Sequence, residues 1–369
     1  MSPVAAEPVK VLIVDDSTSA RAMLRAIVDS DPGLTVMGTA ADAFAAAKMM
    51  RASLPDVILL DLELPGMDGL TFMKKIMLQR PIPVVICSSL TAEGSSKSLA
   101  ALEAGAVEVI LKPSAKDEQA RQEAQVLICD ALHAASQSRG GKAAKLHRFQ
   151  EPGQKLSADE ILPPPNRMKP IPMTEPIVCI GASTGGTEAL RVLLTMLPAD
   201  APPIAIVQHM PEGFTAAFAR RLDGLCAVKV TEAEEGMSLK QGEVLIAPGD
   251  RHLLLRRLPS GYRANVVTGP YVSRHRPSVD VLMRSAAIAA GPNAMGIILT
   301  GMGDDGARCL GELQAAGGVT VAQDEASSVV YGMPREAVRM GSAGQTVTLD
   351  RMAAAIMAFA RRHKAGAQK

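Results

Sequence analysis

A chain of 369 residues, 47% of them hydrophobic, is long enough for two or three domains, each with its own core. Its 39 basic and 38 acidic side chains leave a net charge of +1, so no global field gathers nucleic acid or anionic lipid. With aromatics at 2% and Trp absent, the chain offers no stacking platform for bases and no aromatic cleft for sugars.

The five cysteines, Cys87, Cys129, Cys179, Cys226 and Cys309, form no C-x-x-C pair and are odd in number. Free buried thiols in a reducing compartment are expected, rather than disulfides or zinc. Met1 to Pro8 lacks the basic start and apolar core of a signal peptide, and no apolar run approaches the roughly 18 residues of a membrane span. A cytoplasmic protein without membrane insertion is the expectation. The 20 methionines supply adaptable apolar packing.

In chain order, Val9 to Val14 predicts a strand buried on both faces, ending at Asp15-Asp16. Ser17 to Ser30 predicts a helix with Ala20, Met23, Leu24 and Ile27 on one face. Strand Leu34 to Thr39 and helix Asp42 to Ala52 follow. Val57 to Leu60 predicts a third strand, ending at Asp61, with the loop Leu64-Pro65-Gly66-Met67-Asp68-Gly69 and a helix to Leu78 behind it. Val84 to Cys87 is a fourth strand, ending at Ser88-Ser89, before a helix from about Glu93 to Ala104. Val107 to Leu111 is the fifth, ending at Lys112-Pro113, and a helix runs from about Lys116 to Ala135.

This alternation predicts a doubly wound parallel sheet, whose strand ends carry the function. Those ends hold Asp15, Asp16, Asp61, Ser88 and Lys112. Three carboxylates in one crevice repel one another unless a cation sits among them, and an all-oxygen set suits Mg²⁺. The lysine and hydroxyl suit an added phosphoryl group. On these residues, 9–135 resemble a response-regulator receiver domain. The resemblance implies Asp61 as the phosphoacceptor, Asp15 and Asp16 with Asp61 as the Mg²⁺ site, and Ser88 and Lys112 as phosphate and switch residues. It also implies a histidine kinase as phosphodonor. Receivers often carry an aromatic switch residue where this chain has Val109.

From 136 to 173 the pattern dissolves into a linker. Ser138-Arg139-Gly140-Gly141-Lys142 is flexible and basic, and Leu162-Pro163-Pro164-Pro165 and Lys169-Pro170-Ile171-Pro172 favour extended geometry. Lys142, Lys145 and Arg148 read as solvated linker charge.

Residues 174–369 resume the rhythm. Ile177 to Ile180 is an apolar run, followed by Gly181-Ala182-Ser183-Thr184-Gly185-Gly186 and a helix. A serine among glycines at a strand-to-helix turn is either an uncovered nucleophile or an N-cap. Ile204 to Val207 is a strand ending in Gln208-His209, followed by a helix from Gly213 to Leu222. Ala227 to Val230, Val244 to Ala247, Leu253 to Arg257 and Tyr262 to Val267 predict short strands with hairpin connections. Ser278 to Ala290 predicts a helix. Met295 to Leu299 is a strand ending in Thr300-Gly301-Met302-Gly303-Asp304-Asp305-Gly306, then comes a helix to Ala316 and strand Val319 to Ala322. The prediction is mostly parallel α/β with an antiparallel insert.

Ser183, His209 and Asp305 therefore fall at strand ends on one rim. A histidine can take the serine proton, and a carboxylate can fix its tautomer. Asp304 competes with Asp305 for that role. The Gly301-x-Gly303-x-x-Gly306 spacing matches a dinucleotide fingerprint, but two aspartates would face the pyrophosphate. Arg361-Arg362-His363-Lys364 reads as a solvated basic tail, and no basic recognition helix for nucleic acid appears.

These motifs, with His275-Arg276-Pro277-Ser278-Val279-Asp280 and Tyr331-Gly332-Met333-Pro334, resemble the catalytic domain of the chemotaxis protein-glutamate methylesterase (CheB) family. The resemblance implies hydrolysis of glutamate γ-methyl esters on methyl-accepting chemotaxis receptors, releasing methanol, with glutamine deamidation as a related activity and no cofactor in the esterase site. It implies Ser183 as nucleophile, His209 as base and then acid, Asp305 as orienting carboxylate and Met302 as an oxyanion N–H donor. His275 and Arg276 are expected to line the cleft. A receiver tethered to an esterase further implies that phosphorylation of Asp61 opens the cleft.

Overall fold

Runs such as Val11 to Val14 and Val57 to Leu60 are almost wholly buried, as strands covered by helices on both faces must be. A computed structural model describes residues 7–88, 92–113, 118–137, 155–165, 171–259 and 261–367. It divides into two units, Met1–Gln154 and Lys155–Lys369.

The first unit holds β1 (Val9–Val14), α1 (Thr18–Asp29), β2 (Leu34–Ala40), α2 (Ala43–Ala52), β3 (Val57–Leu60), α3 (Gly69–Gln79), β4 (Val84–Ser88), α4 (Ala92–Glu103), β5 (Glu108–Leu111) and α5 (Glu118–Gln137). The sheet order is β2-β1-β3-β4-β5, parallel throughout. Helix starts follow polar caps. Ser17 accepts from the Ala20 N–H, Asp42 from Phe44 and Ala45, and Asp68 from Thr71. Ser17 and Asp42, predicted as helical, are thus the caps themselves. Because β2 and β3 flank β1 on opposite sides, the chain leaves a crevice at the carboxyl ends of β1 and β3.

The second unit holds β6 (Ile177–Ala182), α6 (Gly186–Thr195), β7 (Ile204–Gln208), α7 (Phe214–Asp223), β8 (Lys229–Glu232), β9 (Ser238–Leu239), β10 (Glu243–Ile246), β11 (His252–Leu258) and β12 (Gly261–Val267). Then come α8 (Val279–Ala289), β13 (Ala294–Ile298), α9 (Ala307–Ala315), β14 (Val319–Gln323), α10 (Met333–Arg339), β15 (Gln345–Val347) and α11 (Leu349–Ala367). Seven strands form a parallel sheet, β15-β14-β13-β6-β7-β10-β8, and β11-β12-β9 form a small antiparallel sheet.

Three expectations change. Of the segments predicted as hairpins, only β11 and β12 make one; β8 and β10 join the parallel sheet beside β7. Val244 to Ile246 are buried on both faces, which a hairpin exposed on one side would not allow. Residues 155–165, within the stretch predicted as linker, pack on the second unit. Ala158 lies in its core, and the fully buried Arg284 of α8 reaches Asp159 and the Leu162 carbonyl. The basic linker positions Arg139, Lys142, Lys145, Arg148 and Lys169 lie outside the described residues. The predicted basic tail is the end of α11: Arg361 and Arg362 are exposed, as expected, but His363 is buried with Nε2 on the Thr174 carbonyl.

Candidate active site

Strand β6 has β7 on one side and β13 on the other, so three carboxyl ends frame one crevice. Ser183 follows β6, His209 follows β7, and Asp305 lies in the loop after β13. The His209 N–H donates to the Ala182 carbonyl (3.0 Å), and Gln208 Nε2 donates to the carbonyls of Ser183 (3.0 Å) and His209 (3.1 Å). The serine turn and the histidine are thereby tied together through the backbone.

Neither Ser183 nor Thr184 caps α6. That position belongs to Gly185, at φ 77°, with no side-chain capping bond. The Ser183 hydroxyl is therefore not spent on the helix start. Gly301 presses on it from the side: a Cβ there would come within 2.7 Å of Ser183 Cβ and 2.5 Å of Met333 Sδ. The neighbouring Met302 N–H finds no acceptor among the described residues.

The structure separates the two candidate aspartates. Asp304 is half exposed and pairs with Lys155. Asp305 is fully buried, and its carboxylate accepts from His209 Nε2 (2.9 Å), Ser278 Oγ (2.9 Å), the Val279 N–H (2.8 Å) and the Asp280 N–H (2.9 Å). It does not cap its own helix, α9, whose cap is Gly306; it sits on the start of α8 instead. Burial pushes its carboxyl up; the His275 ring and the N–H groups of Asp280 and Val279 pull it down. Negative charge at a helix N-terminus is favourable, and we read Asp305 as ionised.

That carboxylate holds the His209 proton on Nε2. Nδ1 is left bare, buried and without a hydrogen-bond partner. No hydrogen bond joins Ser183 to His209 in this structure. Burial pulls the His209 pKa down to about 3, so the ring is neutral and basic at neutral pH. His275 lies flat against it, ring centroids 3.6 Å apart and planes 6° from parallel. Ligand atoms of His209, His275 and Asp305 lie within 4.8 Å of one another. Parallel ring planes give one ion no point in the plane of both, so the cluster suits proton transfer rather than metal ligation.

Three supporting residues carried no usable sequence signal. Gln208, Ser278 and Asp280 stand inside runs read for other reasons, and the bonds that tie them to Ser183 and Asp305 span 25 or more positions. Asp280, buried, accepts from Ser273 Oγ (2.8 Å) and from the Cys309 N–H (3.0 Å). Burial and the nearby charge of Asp305 hold its carboxyl up at about 6. Arg276 is not in the hydrogen-bonded cluster; its guanidinium lies 4.5 Å over the Tyr271 ring and pairs with Asp250.

In the first unit, Asp15 and Asp61 are buried at the ends of β1 and β3, and Lys112 Nζ lies 2.8 Å and 2.6 Å from their carboxylates. Burial pushes the Asp61 carboxyl up, against the hydrogen bond and charge of Lys112. Burial pulls Lys112 down, but the two carboxylates outweigh it and hold the ammonium on. Asp16 is exposed at the rim, and the oxygens of Asp15, Asp16 and Asp61 lie within 4.8 Å of one another. Hard oxygens at that spacing fit Mg²⁺. Ser88 is buried at the end of β4, where its carbonyl accepts from the Lys112 N–H (2.9 Å). Val109, buried on β5, occupies the position expected for an aromatic switch.

Residues 178–356 match the CheB methylesterase family, and residues 11–122 match the response regulator receiver domain family. Protein-glutamate methylesterase/protein-glutamine glutaminase 1 of Cereibacter sphaeroides is 63% identical over 361 residues, covering 97% of each chain. Protein-glutamate methylesterase/protein-glutamine glutaminase 3 of Geobacter metallireducens is 55% identical over 349 residues, covering 95% of this chain and 98% of that one. The solved CheB methylesterase catalytic domain of Thermotoga maritima is 36% identical and covers 50% of this chain and 97% of that chain, with a TM-score of 0.48.

Proposed function

The chain belongs to the CheB methylesterase family and carries a response regulator receiver domain ahead of its esterase domain, and from that premise we propose that Ser183, His209 and Asp305 hydrolyse glutamate γ-methyl esters on chemotaxis receptors. It is an enzyme, a protein-glutamate methylesterase/protein-glutamine glutaminase. The observation that carries the residue assignment is the buried His209–Asp305 pair, which leaves Nδ1 bare one strand end away from an uncapped serine.

Ser183 Oγ attacks the ester carbonyl while its proton passes to His209 Nδ1. Asp305 stabilises the imidazolium that forms. The oxyanion takes the Met302 N–H, a donor worth about 3–4 kcal/mol of barrier. The intermediate collapses, His209 returns the proton to the leaving oxygen, and methanol departs. Water then repeats the sequence on the acyl-serine to give the glutamate carboxylate. A glutamine side chain entering the same cycle loses ammonia instead.

Phosphorylation of Asp61 controls this cycle. Asp15, Asp16 and Asp61 would hold Mg²⁺, which supplies charge neutralisation for the incoming phosphoryl group. Lys112, already paired with Asp15 and Asp61, would meet one phosphoryl oxygen, and Ser88 another. A histidine kinase is the donor and the receptor is the substrate. The work belongs in the cytoplasm, in keeping with free cysteines and with the lack of any helix, among the described residues, long and apolar enough to cross a membrane.

The test is methanol release from methylated receptor, with and without a small phosphodonor. Ser183→Ala is expected to abolish release, and Asp61→Asn to abolish the response to the phosphodonor. Turnover by Ser183→Ala would end the triad assignment. A phosphodonor response in Asp61→Asn would end the switch.

A further inference from the structure

Nothing in the proton relay just described uses His275, yet its ring is tied to the backbone beside His209. It resides in a reverse turn closed by the His275 N–H on the Val272 carbonyl (2.9 Å) and the Val272 N–H on the His275 carbonyl (3.1 Å). Ser273 and Arg274, at φ 49° and 69°, occupy the left-handed region that non-glycine residues enter only when their surroundings compel it. The compulsion is visible. The Ser273 N–H donates to the Leu156 carbonyl (2.9 Å), Ser273 Oγ donates to Asp280 (2.8 Å), and the Ser273 carbonyl accepts from His275 Nδ1 (2.8 Å). That last bond fixes the His275 tautomer with its proton on Nδ1. The ring cannot turn without breaking it.

We propose that His275 is a positioning residue: its fixed ring, stacked on His209, holds the base in the one orientation that keeps Nε2 on Asp305 and Nδ1 open to the serine hydroxyl. This rests on the triad assignment above. His275 exchanges no proton. Its Nδ1 is 3.9 Å from Asp305 Oδ2, beyond a hydrogen bond, so it does not compete with His209 for the carboxylate. When His209 becomes an imidazolium, it lies against a neutral π face, which attracts positive charge. The stack therefore restrains the ring before proton transfer and favours the charged form during it. The charged groups nearby are Asp305 after β13, Asp280 on α8, and the Lys155–Asp304 pair at the rim. Burial and the neighbouring His209 ring, with Lys155, keep His275 itself uncharged at neutral pH.

The experiment compares His275→Phe, which keeps a flat ring, with His275→Leu and His275→Ala, which do not. All are made in the full chain and assayed by methanol release under saturating phosphodonor, beside Ser183→Ala. A ring misplaced by about 1 Å costs on the order of 100-fold in turnover. The expected result is a kcat loss of about 10- to 100-fold for Leu and Ala with KM changed less than about 3-fold, and Phe within about 5-fold of wild type. The acid limb of kcat/KM should also move toward about pH 6.5 in Ala, where water reaches His209, and stay in place in Phe. A merely structural loss would lower the profile without moving its limb. Leu as active as Phe, or Ala with wild-type kcat, overturns the proposal. An active Ser183→Ala would overturn the triad assignment instead, so the two failures are distinct.

Discussion

At the scale of single residues, the site is arranged around a carboxylate that water does not reach. Asp305 accepts from one imidazole, one hydroxyl and two backbone N–H groups. Asp305→Asn would place an amide N–H₂ against these donors and reverse the His209 tautomer. The expected loss is on the order of 10⁴-fold in kcat, with little change in KM, read by methanol release. The buried rings also predict an acid sensitivity. His209 and His275 have folded pKa values pulled to about 3, against about 6.5 in the unfolded chain. Between those values the unfolded chain binds more protons. Their contribution is therefore complete above about pH 6.5 and is lost as pH falls toward 3. Asp280, held up to about 6, acts in the opposite sense between about 6 and 3.9. The difference between wild type and His275→Phe isolates the ring. The urea midpoint of wild type should fall more steeply than that of the variant between about pH 6.5 and 4.5. Parallel curves would refute the assigned shift.

At the scale of elements, α8 and α9 exchange caps. Asp305, just before α9, sits on the first N–H groups of α8, while Asp280, in the first turn of α8, accepts from Cys309 in the first turn of α9. Each helix dipole is met by the other's carboxylate. The pair is then bolted lower down by Arg284, whose buried guanidinium makes a two-pronged contact with Glu312 (2.7 and 2.6 Å) and also reaches Asp159. Arg284→Met leaves Glu312 without its partner, and removing one member of such a pair costs about 3–5 kcal/mol, measurable by urea denaturation. Arg284→Lys should recover only part, because an ammonium cannot present the same fork. The heptad-free, strand-and-helix rhythm made α8 and α9 legible from periodicity. Their mutual capping was not, because it joins positions 25 to 29 apart through aspartates, a residue type that in a sequence reads equally as surface polarity. The hairpin expectation failed for a related reason. A short apolar run such as Val244 to Ile246 predicts a strand, but says nothing about which sheet receives it.

At the scale of the whole molecule, the same device appears twice. Each parallel sheet is wound outward from an inner strand, β1 in one and β6 in the other, and each gathers its reactive residues at the carboxyl ends beside that strand. In the function proposed above, one crevice takes a phosphoryl group and the other an acyl group, so a single chain would join an input to an output. Chelation of divalent cations should remove the phosphodonor response, because Asp15, Asp16 and Asp61 are left as unneutralised carboxylates, yet spare the unstimulated esterase, whose parallel imidazoles do not ligate an ion. Loss of unstimulated methanol release with EDTA would contradict that division.

The amino-acid order alone determined most of the strands and the rim positions that follow them, but not the short β9 and β15. Burial on both faces writes continuous apolar runs into parallel strands, and the positions just beyond those runs must be the rim. Residue chemistry left Asp304 and Asp305 open and only the family resemblance named Asp305; tertiary structure gave the reason, and it alone decided that His275 lies against His209 and that residues 155–165 belong to the second unit. Adjacent aspartates are chemically identical in a sequence. Only the direction each side chain takes from the folded backbone, one inward to the start of α8 and one outward to Lys155, tells them apart.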